Sequence, residues 1–322
     1  MADTDADHPR ILVPHHVRDS AARTLDAELT DRLGEDVVVT TDTPAETVAA
    51  AEDAAVVVAD HYDADLFDAA PDLRWVQAVS AGVDDYDLDA LRERDVVLTN
   101  ASGVHAEPIA EQVLGSLLTF ARNIHTGIQQ QEEGVWEAYG GHELRDATVG
   151  VVGLGAIGGR VAEHCDALGV EVIGTKRDPS TAPDAVDEVY GPDDLDAMLA
   201  RSDYLVLACP LTEETRGLVG REELEVLPEQ AVLVNVARGE IVDQDALVEA
   251  LQNRRIRGAA LDVFEEEPLP QTSPLWDLSR AVVTPHMAGS TPHYYERVAA
   301  IVARNYERFR EGALDDFENR VV

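Results

Sequence analysis

The sequence has 322 residues, with 63 acidic side chains against 25 basic ones and a formal net charge of -38. That balance excludes nucleic acid and anionic membranes as partners, because binding phosphate depends on clustered cations and this surface repels polyanions. A content of 45 % hydrophobic residues, arranged in recurrent short runs, excludes disorder as the explanation of the charge and leads to an expectation of two domains of ordinary size.

The acidity fits adaptation to a salty cytoplasm, where the Debye length falls to about 3 Å at 1 M salt and carboxylate repulsion is screened. Arginine replaces lysine throughout, and Lys176 is the single lysine of the chain. Cys165 and Cys209 are too few for a disulfide framework, and the stretch MADTDADHPR has neither a basic nor an apolar segment. A cytoplasmic location is therefore expected. No apolar run approaches the roughly 20 residues that span a bilayer.

Along the chain, apolar runs at 11–13, 37–39, 54–59, 75–79 and 96–98 read as buried strands. Ala-, Glu- and Asp-rich segments such as 44–53 and 84–94 separate them, so strand and helix alternate and a parallel sheet is predicted. The spacing of Ile109, Val113, Leu117, Phe120 and Ile124 predicts one long helix over 107–128, which opens a second domain. Runs at 148–153, 170–174, 204–208, 231–236, 258–263 and 281–285 then predict a second doubly wound sheet. In the last segment, 291–312, the positions of Tyr295, Val298, Val302, Tyr306 and Phe309 predict a helix with one buried face. With no strand after it, this helix is expected to pack back on the first domain.

GLGAIG, at Gly153, Gly155, Ala156, Ile157 and Gly158, follows an apolar strand and opens a helical segment, after which a further strand VEVIG completes a βαβ unit. In that context Gly153 permits the tight turn, Gly155 lets the backbone approach a pyrophosphate, and Gly158 allows helix and strand to touch. An acidic residue about 20 positions downstream commonly bonds the ribose 2′-hydroxyl of NAD. Here Lys176 and Arg177 stand in its place, two cations suited to the 2′-phosphate of NADP. Asp178 lies two residues past that position and is not taken as the ribose ligand.

NVARGEIVD at 235–243, LDVFEEEPLP at 261–270 and TPHMAGST at 284–291 each end or follow a strand of the second sheet. With SAGVD at 80–84, GVHAEPIAE at 103–111 and CPLTEETRGLV at 209–219, they resemble the D-isomer-specific 2-hydroxyacid dehydrogenase family over nearly the whole chain. The resemblance implies two doubly wound parallel-sheet domains, with a Rossmann cofactor domain at 102–289 inserted into a flavodoxin-like substrate domain made of 1–101 and 290–322.

It further implies that Arg238 binds the substrate carboxylate and carbonyl oxygen, that His286 is the proton donor, and that Glu267 pairs with that histidine. The residue types suit these tasks. Arginine presents a planar, permanently charged fork, histidine exchanges protons near neutral pH, and a neighbouring carboxylate favours the imidazolium. Taken alone, Arg238 could serve a structural ion pair, and Glu267 is one of three successive glutamates.

Carried over in the same way, the amides of Ser80, Ala81, Gly82 and Val83 hold the substrate carboxylate and Asp262 holds the nicotinamide carboxamide. Pro210, Thr215, Ala237 and Gly289 line the cofactor. Trp276 is expected to pack in the core, with a place in the substrate pocket as the alternative. No metal-ligand cluster is read from the sequence, and hydride transfer with a histidine acid needs none.

The expectation is thus a reductase of small 2-oxo acids to D-2-hydroxy acids, with NADP(H) preferred, use of NAD(H) left open, and the active site in a cleft between the domains. A homodimer through the cofactor domain is implied, because the helix from 107 and the segment after it resemble the family's dimer region. Two competing readings are a nucleotide-sensing corepressor or scaffold on the same fold, and a narrow glyoxylate or hydroxypyruvate reductase.

Overall fold

The computed structural model describes residues 9–17, 19–83 and 85–322. The opening stretch 1–8 and Asp84 of the SAGVD motif lie outside the described residues. In chain order the first elements are β1 (Arg10–Val13), α1 (Asp19–Leu33), β2 (Val38–Thr40), α2 (Pro44–Ala51), β3 (Ala54–Ala59), α3 (Ala64–Asp68), β4 (Trp75–Ala78), α4 (Leu88–Glu93) and β5 (Val97–Thr99). There follow α5 (Ala106–Ala121), α6 (Ile124–Glu133), β6 (Thr148–Val152), α7 (Ala156–Asp166), β7 (Glu171–Thr175), β8 (Glu188–Tyr190), α8 (Leu195–Leu199) and β9 (Tyr204–Leu207). The chain closes with α9 (Arg221–Val226), β10 (Val232–Asn235), α10 (Gln244–Gln252), β11 (Gly258–Leu261), β12 (Ala281–Val283) and α11 (Tyr294–Glu311).

Two compact units result. One comprises Met1–Val104 with Thr291–Val322, the other His105–Ser290. The first holds a five-stranded sheet of order β2-β1-β3-β4-β5 and the second a seven-stranded sheet of order β12-β11-β10-β9-β6-β7-β8. Among the described residues the strands of both sheets pair with one another in parallel, for example Ile11↔Val38 and Val56↔Trp75 in the first sheet, and Val149↔Tyr204 and Val232↔Gly258 in the second.

The strands read as unbroken apolar runs because both faces of each sheet are covered. In the first unit Ile11, Val13, Val56 and Val58 pack with Leu25, Leu29, Val298 and Val302 of α1 and α11. The alternate residues Leu12, Val57 and Ala59 pack with Ala51, Leu66, Phe67 and Leu91 on the other face. In the second unit Val149, Val151, Val206 and Val234 face Val113, Leu117 and Val161, while Val152, Leu205, Leu207 and Leu233 face Leu224, Leu247 and Leu251. Burying each such side chain contributes about 1.5–3 kcal/mol, which outweighs the weak helix preference of the Val-rich strands.

The sequence reading is corrected at three places. The helix predicted over 107–128 is two helices, α5 and α6, broken at Asn123, whose backbone is left-handed at φ 53. The apolar period runs on across the break, but Ile124 and Ile128 are exposed, not core. Strand β8 is an addition, because a three-residue edge strand with one exposed and two half-buried side chains carries no readable alternation. Trp276 is half exposed and its indole donates to the Pro270 carbonyl at 2.9 Å, so it packs in no core.

Candidate active site

In the second sheet the strand order reverses between β6 and β9, and ligands of doubly wound sheets bind at the carboxyl edge beside such a reversal. The glycine fingerprint sits there. Gly153 has φ +95, a conformation costly for other residues, and an added Cβ would lie 2.7 Å from the backbone of Cys209 at the end of β9. At Gly158 a Cβ would lie 2.1 Å from the Gly153 carbonyl, whereas at Gly155 it would meet nothing within 4 Å. Helix α7 has no side-chain cap at Gly155, so the first-turn amides, those of Ala156 and Ile157 among them, lack intrahelical partners and suit an anion. Burial pushes the Cys209 thiol up to about 11, which makes it a neutral packing group beside this turn. Pro210 and Thr215 lie in the loop after β9, where the Thr215 hydroxyl donates to the Pro210 carbonyl at 2.7 Å and accepts from the Thr212 amide at 2.7 Å. Thr215 therefore shapes the loop.

At the end of β7, Lys176 is half-buried and donates from Nζ to the Thr181 carbonyl at 2.6 Å, and Arg177 is exposed. Asp178 is engaged by its own turn, accepting from the Ser180 amide at 3.0 Å and hydroxyl at 2.6 Å. Those two bonds, with a smaller contribution from the Lys176 charge, hold its carboxyl below the usual range.

The loops after β10, β11 and β12 carry the three chemically competent side chains. Asn235, buried at the tip of β10, accepts from the Ala237 amide at 3.1 Å and donates to the Arg238 carbonyl at 3.0 Å. Ala237 is buried and Arg238 is exposed, with its guanidinium donating to the Ala237 carbonyl at 2.7 Å. A Cβ on Gly239 would lie 1.9 Å from the Phe264 backbone, so the Arg238 loop rests directly on the segment that leads to Glu267. That glutamate uses both oxygens, accepting from the Phe264 amide at 3.0 Å and from His286 Nδ1 at 2.7 Å. Burial pushes the Glu267 carboxyl up, but the bonds from His286 and Phe264, with the charges of His286 and Arg238, outweigh it and leave a net lowering.

His286 is held in a left-handed backbone conformation at φ 48, and buried Asp262 is what holds it. The Asp262 carbonyl accepts from the His286 amide at 2.8 Å. Its carboxylate accepts from the Thr284 hydroxyl at 2.5 Å, the Met287 amide at 3.0 Å and the Ala288 amide at 2.9 Å. The structure thus gives Asp262 a role in shaping the histidine turn that was absent from the sequence reading. Gly289 lies next in this turn, its carbonyl 3.0 Å from His105 Nδ1. Asn235 and Thr284 were not singled out in the sequence; the available signal was a polar residue at or just beyond the tip of an apolar strand.

In the first unit the turn Ser80–Val83 leaves β4 with its carbonyls turned inward. Those of Ser80, Ala81 and Gly82 accept from the Ala101 amide at 2.9 Å, the Asn100 side chain at 2.7 Å and the Ser80 hydroxyl at 2.6 Å. Among the described residues no hydrogen bond uses the amides of this turn. A cavity of about 990 Å³ in the same unit opens at the opposite sheet edge, beside Pro9, Ala55 and Arg74, and contains none of these groups.

A parallel sheet with an uncapped, glycine-opened helix at its reversal defines a dinucleotide-binding unit of the doubly wound kind. Residues 114–288 match the family model of the D-isomer specific 2-hydroxyacid dehydrogenase NAD binding domain. The chain is 35 % identical over 313 residues to the D-3-phosphoglycerate dehydrogenase of Methanocaldococcus jannaschii, covering 95 % of this chain but 58 % of that one. It is also 35 % identical over 267 residues to the glyoxylate reductase of Korarchaeum cryptofilum, covering 80 % and 79 % of the two chains. Among solved structures, a D-isomer specific 2-hydroxyacid dehydrogenase from Xanthobacter autotrophicus Py2, in complex with NADPH and MES, superposes with a TM-score of 0.79 at 30 % identity over 98 % of each chain. This chain belongs to the D-isomer-specific 2-hydroxyacid dehydrogenase family, whose members are NAD(P)-dependent oxidoreductases. It spans little more than half the length of the phosphoglycerate dehydrogenase it matches. Among the described residues, no helix is long and apolar enough to cross a membrane.

Proposed function

We propose that the protein is an NADP(H)-preferring reductase that converts small 2-oxo acids to D-2-hydroxy acids. The observation that carries the reading is the His286–Glu267 bond of 2.7 Å, on the same sheet edge as Arg238 and the fingerprint. When bound, the reduced nicotinamide supplies a hydride; the first-turn amides of α7 and the fingerprint glycines would hold its pyrophosphate, with Pro210, Thr215, Ala237, Asp262 and Gly289 around the rest. His286 gives a proton to the carbonyl oxygen and takes one back in the oxidative direction. Glu267 fixes the imidazole ring through Nδ1, which leaves Nε2 to face the substrate oxygen. Arg238 binds the substrate carboxylate and carbonyl oxygen as a fork, and the amides of Ser80, Ala81, Gly82 and Val83 serve the carboxylate as well.

The cofactor preference draws on Lys176 and Arg177, which stand where a ribose-binding carboxylate would repel a 2′-phosphate. The unit 1–101 with 290–322 is assigned to substrate and 102–289 to the cofactor. A homodimer through the cofactor unit is supported by the apolar surface of α6 and the segment after it, where Ile124, Ile128, Val135, Trp136 and Tyr139 are all exposed. Glyoxylate is the narrower candidate substrate, which the name of the Korarchaeum relative suggests. The test is oxidation of NADPH and NADH at high salt with a panel of 2-oxo acids, for the parent and for His286→Ala. Turnover with NADPH that the variant loses by about 10²–10⁴-fold is expected; no turnover with any acid would favour the corepressor reading instead.

A further inference from the structure

The first unit carries a cluster that the proposed reaction does not use. Strands β1 and β3 are neighbours, paired at Ile11↔Val56 and Leu12↔Val57, and they flank the reversal of strand order in this sheet. The turn after β1 brings His16 to the carboxyl edge, and the turn after β3 brings Asp60, His61 and Asp63. Asp60 Oδ1 lies 2.7 Å from Nδ1 of His16 and 2.7 Å from Nδ1 of His61. A carboxylate only accepts, so both imidazoles carry their proton on Nδ1 when neutral and present a lone pair on Nε2. The two rings lie 4.4 Å apart, centroid to centroid.

Nε2 of His16 is buried and has no hydrogen-bond partner among the described residues. Asp63 Oδ2 stands 4.0 Å from it, beyond hydrogen-bond reach. The other oxygen of Asp63 is taken by the first turn of α3, accepting from the Leu66 amide at 3.0 Å, which leaves Oδ2 turned to the histidines. One ligand atom each from His16, His61 and Asp63 lie within 4.8 Å of one another. The hydrogen bonds of this cluster account for Asp60 but, among the described residues, leave Nε2 of His16 without one.

We propose that His16, His61 and Asp63 form a binding site for a first-row dication of the zinc class, with Asp60 as the outer carboxylate that orients both imidazoles. Two nitrogen donors and one oxygen donor suit zinc, cobalt or nickel, whereas magnesium and calcium take all-oxygen sites. Bond lengths of about 2.0–2.2 Å place the ligand atoms of a tetrahedral zinc roughly 3.3 Å apart, so closure of up to about 1.5 Å is needed. The exposed His61 side chain supplies that movement without disturbing the core. Such an ion would clip the turns after β1 and β3 together. It would also sit beside the chain leading to Ser80, since the Val79 amide donates to the Ala59 carbonyl at 2.9 Å.

The many surface carboxylates call for a test in 2 M KCl. The full chain, stripped with a chelator and titrated with Co²⁺, should bind one equivalent, with the visible absorption of nitrogen-ligated cobalt. One equivalent of Zn²⁺ should displace it, excess Mg²⁺ should not, and Zn²⁺ should raise the melting temperature. His61→Ala and His16→Ala should each weaken binding at least tenfold, and Asp60→Asn by about 10–100-fold. A parent with no visible band at one equivalent overturns the proposal. So does unchanged cobalt affinity in His61→Ala, a variant at an exposed position that decides the matter even if His16→Ala fails to fold.

Discussion

Asp262 offers the sharpest separation between two accounts of one residue. In Asp262→Asn one carboxylate oxygen becomes an NH₂ group, and either orientation sets donor against donor. At Oδ2 it would face the Ala288 amide, now 2.9 Å away; at Oδ1 it would face the Met287 amide and the Thr284 hydroxyl. A hydrogen bond to a charged group contributes about 1.5–3 kcal/mol, and the surviving bonds weaken to neutral ones. The left-handed conformation of His286, at φ 48, costs roughly 1–3 kcal/mol that this turn must offset. A loss near 2 kcal/mol corresponds to about a 30-fold effect. Turnover, kcat with NADPH and the preferred 2-oxo acid, is therefore expected to fall by about 10–30-fold, while the NADPH Kd from fluorescence titration changes less than about twofold. A tenfold weaker Kd with kcat intact would refute this account and make contact with the nicotinamide carboxamide, the role implied by family resemblance, the main work of Asp262.

Four further outcomes follow from the same geometry and from the net charge. Replacing Glu267 with Gln turns the charged bond that fixes the His286 ring into a neutral one, so reductive kcat should fall by about tenfold while the NADPH Kd stays near the parent's, since bonds to charged groups contribute about 1.5–3 kcal/mol against about 1 for neutral ones. The Glu267 carboxyl is held below its unfolded range, so its contribution to stability is present above an unfolded value of about 4.3 and lost as pH falls through the folded one. Melting curves of Glu267→Gln should consequently be flatter than the parent's below about pH 4; a parallel decline in both proteins would count against the pairing. The double substitution Lys176→Ala, Arg177→Ala should raise the NADPH KM by about 10–100-fold, from the loss of charge-assisted bonds worth about 1.5–3 kcal/mol, and leave NADH nearly unaffected. With -38 formal charges screened only at high ionic strength, the melting temperature should climb between 0.1 and 2 M KCl, and a salt-insensitive transition would remove the reading of salt adaptation.

How much of this was legible in the sequence depended on how local the cause was. Both sheets could be read because their central strands are buried on two faces, which leaves runs such as AAVVVA at 54–59 that short-range inspection finds. The break at Asn123 escaped because Phe120, Ile124 and Ile128 keep a helical period across it. The asparagine itself, a residue that tolerates the left-handed region and ends helices, was the better sign. His286 and Glu267 came from motif context, since their 2.7 Å contact joins loops after different strands. The lock on His286 by Asp262, and the Asn235 bonds that fold the Arg238 loop back, depend on backbone geometry that composition does not encode. His16 and His61 lie in turns after β1 and β3, and only the pairing of those strands brings the rings together.

The end of β7 shows how a single position divides its work between fold and chemistry. The Lys176 backbone still belongs to the sheet, its amide donating to the Tyr190 carbonyl at 3.3 Å, while its ammonium closes the 178–181 turn through the Thr181 carbonyl. Asp178 accepts from the Ser180 amide and hydroxyl through one carboxylate oxygen, Oδ1, in that turn. Arg177 is exposed, and its charge helps to hold the Glu214 carboxyl below the usual range, after the larger effects of bonds to the Thr212 hydroxyl and a backbone amide. A 2′-phosphate would compete with Glu214 for that guanidinium and win on charge, because a phosphate near neutral pH carries more than one negative charge. Under the proposed NADP(H) preference, Arg177 would supply most of the phosphate contact and Lys176 would shape the turn that presents it. The chain's one lysine then serves through length and flexibility as much as through charge, reaching a carbonyl five residues ahead.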